Sequence, residues 1–275
     1  PISIGLLNNN GEEIRGTKTF FLTKKEQLLK FDDLPSKPIP SILRNFSAPI
    51  TLIDDVTENE LYTLAKSDKN LFNRWNVVRK LVLKAIEQFI YEEKSVSNRL
   101  ISSIAETLYS ESQSHAYRAL FSKAPNAHEC ISYLADRGRV IDPIKIQEAI
   151  ISFNGVLSQE CHSFISKWIR NYEPYNVYEP SPKQVGLRAF TLNLLDLFCH
   201  CDEGIKAAQN FYKTSSNMTD EIGSLTLLVK HDKISDELEH FYNRWKNNNS
   251  VIDKWFLAQA SHTPAKKAIR VVSGL

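Results

Sequence analysis

The chain has 275 residues, of which 42% are apolar and 24% are charged, and its formal net charge is +2. This composition is typical of a soluble globular protein, and the length allows a large core and two domains. The charge is too small to indicate nucleic-acid binding, and no apolar run is long enough to predict a membrane span. Four cysteines in a chain of this length do not indicate a disulfide scaffold.

Residues 1–54 have the pattern of a small β domain. Ile2, Ile4 and Leu6 alternate with small residues, and Asn10-Gly11 predicts a hairpin turn because both residues tolerate positive φ. Further short strands are predicted at 19–23, 27–31 and 50–53. The segment 35–40 holds three prolines, so it must run extended and cannot form a central strand. So small a sheet is marginal alone, and we expect it to pack on the helices.

Residues 55–275 have the pattern of a helical domain. Helix starts are predicted where a capping residue precedes a matching acidic or amide side chain or a proline: Thr57 with Glu60, Asn126 with Glu129, Asp142-Pro143 and Ser181-Pro182. Apolar residues surround the segment 185–198 on all sides, which predicts a central helix. About ten helices joined by short loops predict a mainly α fold of stacked helical hairpins in a superhelical array.

A helical hairpin is predicted around residues 242–260. An amphipathic stripe ends at Trp245, three asparagines at 247–249 interrupt it, and Ser250 with Asp253 predicts the cap of the next helix. The short connection predicts antiparallel helices that pack through Trp245 and Trp255.

Five segments of the sequence are specific enough to compare with known families: Asn217-Met218-Thr219-Asp220, Tyr242-Asn243-Arg244-Trp245, the segment 253–260, the segment 40–50 and the segment 68–75. They resemble the aminopeptidase N family of bacterial zinc-dependent alanyl aminopeptidases. The resemblance covers most of the chain. It implies that residues 1–54 are the later strands of a β-sandwich domain and that residues 55–275 are the first part of a C-terminal helical domain.

The resemblance also implies a function for the chain within a longer protein. Pro1-Ile2-Ser3-Ile4 begins in strand-like alternation and the segment 271–275 lies inside an apolar pattern, so we expect a fragment of a longer polypeptide. The parent would be a cytoplasmic zinc metalloaminopeptidase that removes N-terminal residues from peptides. We expect this fragment to be inactive alone, to pack on its own catalytic domain and to shape the substrate-access chamber, with neither nucleic acid nor membrane as partner. The alternative is a self-contained helical-repeat scaffold that binds a protein partner on its concave surface.

The chain lacks the family's two catalytic motifs. Zinc aminopeptidases of this type need His-Glu-x-x-His, in which two imidazoles one helical turn apart bind the metal and the glutamate activates water. His128-Glu129 begins like that motif, but Ser132 stands where the second histidine is required. The Gly-x-Met-Glu-Asn motif that holds the substrate amino group needs a methionine before glutamate, whereas Thr219 follows Met218. The sequence therefore predicts no catalytic, cofactor-binding or metal-binding residue here, and the resemblance implies that the parent's zinc lies in its catalytic domain.

Two cysteine motifs carry weaker hypotheses. Cys199-His200-Cys201 offers zinc ligand types, but no second ligand pair is visible, and packing of Cys199 in the core is the favoured interpretation. Cys161-His162 could be a thiol and its base, yet neighbouring side chains on a helix diverge by roughly 100°.

Exposed cations and aromatic residues offer binding hypotheses as well. Arg74 and Arg244 could bind a peptide or an anion, but each is expected to cover apolar surface and pair with a carboxylate. Tyr172 to Tyr178 could form a recognition loop or a plain connection between helices. The basic group Lys266, Lys267 and Arg270 is expected to be a solvated helix face.

Overall fold

The computed structural model of the chain describes residues 1–175 and 179–275, which form three β-strands followed by twelve α-helices. The strands are β1 (Ile2–Leu7), β2 (Glu13–Phe20) and β3 (Ile39–Ile42). The helices are α1 (Glu58–Ser67), α2 (Leu71–Glu92), α3 (Asn98–Tyr109), α4 (His115–Phe121), α5 (Ala127–Ala135), α6 (Pro143–Asn171), α7 (Pro182–Phe198), α8 (Asp202–Thr214), α9 (Met218–Lys230), α10 (Glu237–Trp245), α11 (Asn249–His262) and α12 (Ala265–Val272). The predicted fold class, a mainly α chain that begins with a small β region, is confirmed.

The N-terminal sheet has the strand order β2-β1-β3, with both pairs antiparallel. The predicted hairpin turn is confirmed, since Gly11 adopts a φ of 84° between β1 and β2. Asn8 holds the turn, because its side-chain oxygen accepts hydrogen bonds from the amides of Asn10 and Glu12. All six residues of β1 are buried, as a central strand requires. Pro40 lies in the edge strand β3, where a missing N–H is tolerated.

The strands predicted at 27–31 and 50–53 are wrong, and the strand predicted at 19–23 ends at Phe20. The apolar residues of these segments still pack on the sheet: Leu29, Phe31 and Leu52 lie against the cluster of Ile2, Ile4 and Leu6. Alternation of apolar residues indicates that one side of a segment is buried. It does not show whether the backbone joins a ladder, so a covering segment and a strand have the same pattern.

The chain forms two compact units. Unit 1 contains Pro1–Ile104 and Ala124–Phe153, and unit 2 contains Ala105–Lys123 and Asn154–Leu275. The division of the sequence into domains at residues 54 and 55 remains a prediction.

The helix starts follow the predicted capping residues with one exception. Thr57, Asn126 and Ser181 each form a capping box with the residue three positions later. Asp142 accepts hydrogen bonds from the first amides of α6. The cap predicted at Ser250 is wrong: α11 begins at Asn249, so Ser250 lies inside its first turn.

In unit 2, α7 is the central helix that its composition predicts. Phe190, Leu194 and Leu195 are fully buried, and α4, α8 and α9 all contact this helix. Its N-terminal turn is less enclosed, since Val185 is exposed.

The hairpin formed by α10 and α11 differs from its prediction in one respect. Trp255 packs on α10 as expected: its Nε1 donates to Leu238 O at 3.0 Å, and its ring lies 5.3 Å from that of Tyr242. Trp245 also reaches α9, where its Nε1 lies 3.4 Å from Glu221 Oε2. Both tryptophans pack against the cluster that contains Phe241 of α10 and Val251 of α11, and Trp245 in addition fixes the hairpin to the neighbouring helix.

Candidate functional site

A buried arginine joins the small sheet to the first helices in unit 1. The side chain of Arg44, in the single 3-10 turn after β3, is 2% exposed. Its Nε donates to Ser41 Oγ and its Nη2 to Asp68 Oδ1, both at 2.9 Å. Asn73 on α2 donates from Nδ2 to Ser41 Oγ at 2.7 Å. These bonds confirm that the sheet packs on helices. They also give Arg44, the charged residue of the segment 40–50, partners within the fold.

The outer side of this arginine faces β2. Arg44 Nη1 pairs with Glu13 Oε1 at 2.5 Å, and this hydrogen bond lowers the pKa of Glu13 against the opposing effect of burial. Gly5 lies directly beneath the guanidinium, so that a Cβ at this position would overlap Arg44 Cζ. The cluster is thus a closed structural link, and its charges are neutralised by protein partners.

A second polar cluster links α7 to the end of α9 in unit 2. Lys230 Nζ donates to Asp196 Oδ2 at 2.6 Å, and the Nε2 of His231 lies 3.0 Å from Asp196 Oδ1. Burial opposes ionisation of Asp196, but the bonds from His231 and Lys230 outweigh it and hold the pKa of Asp196 at about 2. The His200 ring lies edge-on to that of His231, with centroids 5.2 Å apart.

A third cluster links α7 to the start of α9. The Nε of Arg188 lies 2.9 Å from Oδ1 of Asp220, a residue with no exposed surface. Asn217 caps α9 and donates from its side-chain amide to Asp220 Oδ2 at 2.7 Å. The motif Asn217-Met218-Thr219-Asp220 therefore has a structural role, because it starts a helix and places a buried carboxylate against α7.

The two arginines that precede a tryptophan act differently from each other. Arg244 pairs with Glu221 at 3.2 Å and lies over the Trp245 ring, so its expected carboxylate partner is confirmed. Arg74 donates from Nε to the carbonyl oxygen of Ala65 at 3.1 Å. The acceptor of this bond is a backbone carbonyl oxygen near the end of α1. The bond therefore does not confirm the carboxylate partner predicted for Arg74.

The proposed recognition loop is described only in part, since 176–178 lie outside the described residues. Tyr172 and Tyr175 are half-buried: the Tyr172 ring stacks on Phe211 at 5.7 Å, and the Arg188 guanidinium lies 4.3 Å from the Tyr175 ring. Burial raises the pKa of Tyr172 to about 12. These two tyrosines are thus packing residues of the helix connection.

The basic group at the C-terminal end lies on α12. Lys266, Lys267 and Arg270 are exposed, which confirms the solvated face, and Lys267 pairs with Asp232 at 2.5 Å.

One residue of each cysteine motif lies close to a residue of the other. Cys161 and Cys199 are buried, whereas Cys201 is half-buried at the N-terminus of α8. Cys201 Sγ lies 4.0 Å from Nε2 of His162, a residue of the other motif. The sequence offered no signal for this pairing, because the two residues lie 39 positions apart on different helices.

The described residues bring together no set of side chains that could bind zinc. His128-Glu129 lies at the start of α5, where Glu129 completes a capping box and pairs with Arg79. Throughout the part of the chain that the structure describes, no group of three or more histidine, cysteine, aspartate or glutamate side chains is arranged to hold a metal ion. None of the described helices combines the length and apolar character that a membrane crossing needs.

Two family models match the chain along its length. Residues 1–55 match a model described as a domain of unknown function (DUF3458) with an Ig-like fold. Residues 58–275 match a model described as a domain of unknown function (DUF3458_C) with ARM repeats.

Individual relatives agree with the resemblance noted from the sequence. The chain is 24% identical to aminopeptidase N of Haemophilus influenzae, with 93% of this chain and 30% of that protein covered. It is 26% identical to aminopeptidase N of Caulobacter vibrioides (98% and 32% covered) and 25% identical to that of Escherichia coli (100% and 33% covered). The resemblance to aminopeptidase N is confirmed, and the chain spans about a third of the length of these relatives.

A solved structure supports the fold. The crystal structure of Legionella pneumophila aminopeptidase A in complex with aspartic acid matches with a TM-score of 0.85 and 24% identity, over 100% of this chain and 33% of that one.

Proposed function

Because the chain belongs to the DUF3458 family, with its Ig-like part and its ARM-repeat part, we propose that it is the non-catalytic helical region of a zinc metalloaminopeptidase. The parent enzyme releases N-terminal residues from peptides in the cytoplasm. In it, this region packs on the catalytic domain and shapes the chamber through which peptides reach the zinc.

One observation supports this proposal above the others. The chain aligns over nearly its whole length with proteins named aminopeptidase N, yet it contains neither His-Glu-x-x-His nor Gly-x-Met-Glu-Asn. A polypeptide without two histidines one helical turn apart cannot assemble that family's zinc-bound water. Its contribution to the parent enzyme is therefore structural.

The polar clusters of both units support a structural role. Arg44, Asp196 and Arg188 each pair with groups of the same unit, and these pairs fix neighbouring elements to each other. Rigid helical stacks of this kind present extended surfaces that suit packing against a second domain.

The experiment is association in trans. The 275-residue chain is co-expressed with the catalytic part of the parent polypeptide as a separate, tagged chain, and an unrelated helical protein of similar size serves as the control. We expect a one-to-one complex in light scattering and faster hydrolysis of an alanine amide than by the catalytic part alone. If the two folded parts migrate separately and the chain does not change the activity of the catalytic part, the packing role is refuted and a self-contained scaffold is favoured.

A further inference from the structure

The half-buried thiol of unit 2 lies beside a base and a carboxylate. Cys201 immediately precedes α8, and its Sγ is 4.0 Å from His162 Nε2 on α6. The same nitrogen lies 3.7 Å from Glu203 Oε2, in the first turn of α8. We name these three residues the Cys201 cluster.

Neighbouring groups hold the members of the Cys201 cluster in place. The ring of Phe198 meets the His162 ring edge-on, with centroids 5.5 Å apart. Ser166 donates from Oγ to Glu203 Oε1 at 2.9 Å, which leaves Oε2 facing the imidazole. The thiol of Cys201 donates to the carbonyl oxygen of Phe198 at 3.3 Å.

Cys201 lies both at a helix N-terminus and beside an imidazole. Cys201 is the N-cap of α8, and no hydrogen bond from its side chain satisfies the first amides of that helix. Unsatisfied amides and the helix dipole attract negative charge at an N-terminus. An adjacent imidazole that accepts the thiol proton acts in the same direction, and cysteines at helix N-termini beside histidine are the reactive class.

Accessibility separates Cys201 from the other three thiols. The side chains of His162 and Glu203 are 46% and 54% exposed, so a small reagent can approach the Cys201 cluster. Cys130, Cys161 and Cys199 are buried, and burial raises the pKa of each thiol, that of Cys130 to about 11. A buried thiol that stays protonated does not react as a nucleophile.

We propose that Cys201 is a thiol-modification site that forms a mixed disulfide with low-molecular-weight disulfides, and that His162 accepts its proton. The Cys201 sulfur attacks one sulfur of the disulfide R–S–S–R, so that a protein S–S bond forms and the reagent S–S bond breaks. The leaving thiolate takes up the proton from the imidazolium and departs as R–SH. Cys201 is oxidised and one half of the disulfide is reduced, so no further oxidant is needed.

The test measures the rate and the stoichiometry of disulfide exchange on the intact 275-residue chain. A dipyridyl disulfide reports the released thiopyridone by absorbance, and glutathione disulfide followed by intact mass reports the adduct. We expect one fast equivalent per folded chain, removed by Cys201→Ser. His162→Asn should slow this phase roughly threefold or more, because the rate follows the thiolate fraction.

The matched control is His262→Asn, which removes an exposed histidine at the end of α11 and should leave the rate unchanged. Circular dichroism and the urea midpoint show whether each variant is folded. Since Cys201→Ser only replaces one sulfur atom with oxygen, it keeps the test valid even if His162→Asn destabilises the chain. A fast phase that persists in Cys201→Ser, a folded His162→Asn variant that reacts at the wild-type rate, or a wild-type chain that does not react would each overturn the proposal.

Discussion

At the scale of single residues, the buried charges determine which side chains can change. Arg44 and Asp68 are 2% and 0% exposed as side chains and lie 2.9 Å apart. Removing one partner of such a pair leaves an unpaired buried charge, which costs about 3–5 kcal/mol. The neighbours of the pair are therefore constrained in size as well as in charge.

Gly5 provides a test of this constraint. A methyl group at Gly5 would overlap the Arg44 guanidinium, so we expect Gly5→Ala to lower the free energy of unfolding by about 2–4 kcal/mol. Gly16 on β2 has no neighbour within 4 Å of a built Cβ, and Gly16→Ala is the control that should change stability by less than about 1 kcal/mol. Urea unfolding of both variants measures the difference, and equal midpoints would contradict the close approach of Gly5 and Arg44.

Asp196 provides a pH test. Its pKa in the folded chain, about 2, lies below the ordinary aspartate value, so the carboxylate stabilises the fold above about pH 4. This contribution is lost as the pH falls from about 4 towards 2. We expect Asp196→Asn to cost about 2 kcal/mol at neutral pH and progressively less at pH 3, measured by urea unfolding at each pH. A difference that does not change with pH would show that the ion pairs of Asp196 are not its cause.

The sequence does not predict the Cys201 cluster. Both cysteine motifs are visible in the sequence, and each contains a histidine of its own. Adjacent residues on a helix point roughly 100° apart, which excludes those pairs. The observed partner of Cys201 depends on how α6 packs beside the start of α8, and that is tertiary information.

At the scale of elements, local capping rules predict the helix starts well. The Ser181 side chain accepts a hydrogen bond from the amide of Gln184, and the Gln184 side chain accepts one from the amide of Ser181. The whole capping box therefore lies within four residues. Ser250 fails as a cap because the N-cap of α11 is Asn248, two residues earlier, and the three successive asparagines do not mark which of them precedes the helix. The segments 27–31 and 50–53 fail because coverage of a sheet and pairing in it leave the same apolar pattern.

These caps can be compared directly. We expect Ser181→Ala to cost about 1 kcal/mol, because the first amides of α7 lose an acceptor. Ser250→Ala makes the same chemical change inside the first turn of α11, where we expect a change of less than about 0.5 kcal/mol. Thermal or urea unfolding of the two variants decides, and a larger loss for Ser250→Ala would reverse the assignment of the start of α11.

At the scale of the whole molecule, the chain is a member of a family with Ig-like and ARM-repeat parts and spans about a third of its aminopeptidase relatives. Periodicity and capping residues predict the mainly α architecture, whereas specific motifs such as Asn217-Met218-Thr219-Asp220 indicate the family. The structure gives this motif a role in packing, because Asn217 caps α9 and Asp220 pairs with Arg188 on α7. The motifs that identify the chain are thus motifs of packing.

We propose that this chain is a structural part of an aminopeptidase and does not itself hydrolyse peptides. The most direct measurement is hydrolysis of an alanine chromogenic amide by the purified 275-residue chain, with and without added zinc and with a chelator as control. We predict no turnover above the buffer rate under any of these conditions, because no His-Glu-x-x-His exists in the sequence. Zinc-dependent turnover that co-purifies with the folded chain and disappears with the chelator would contradict the account.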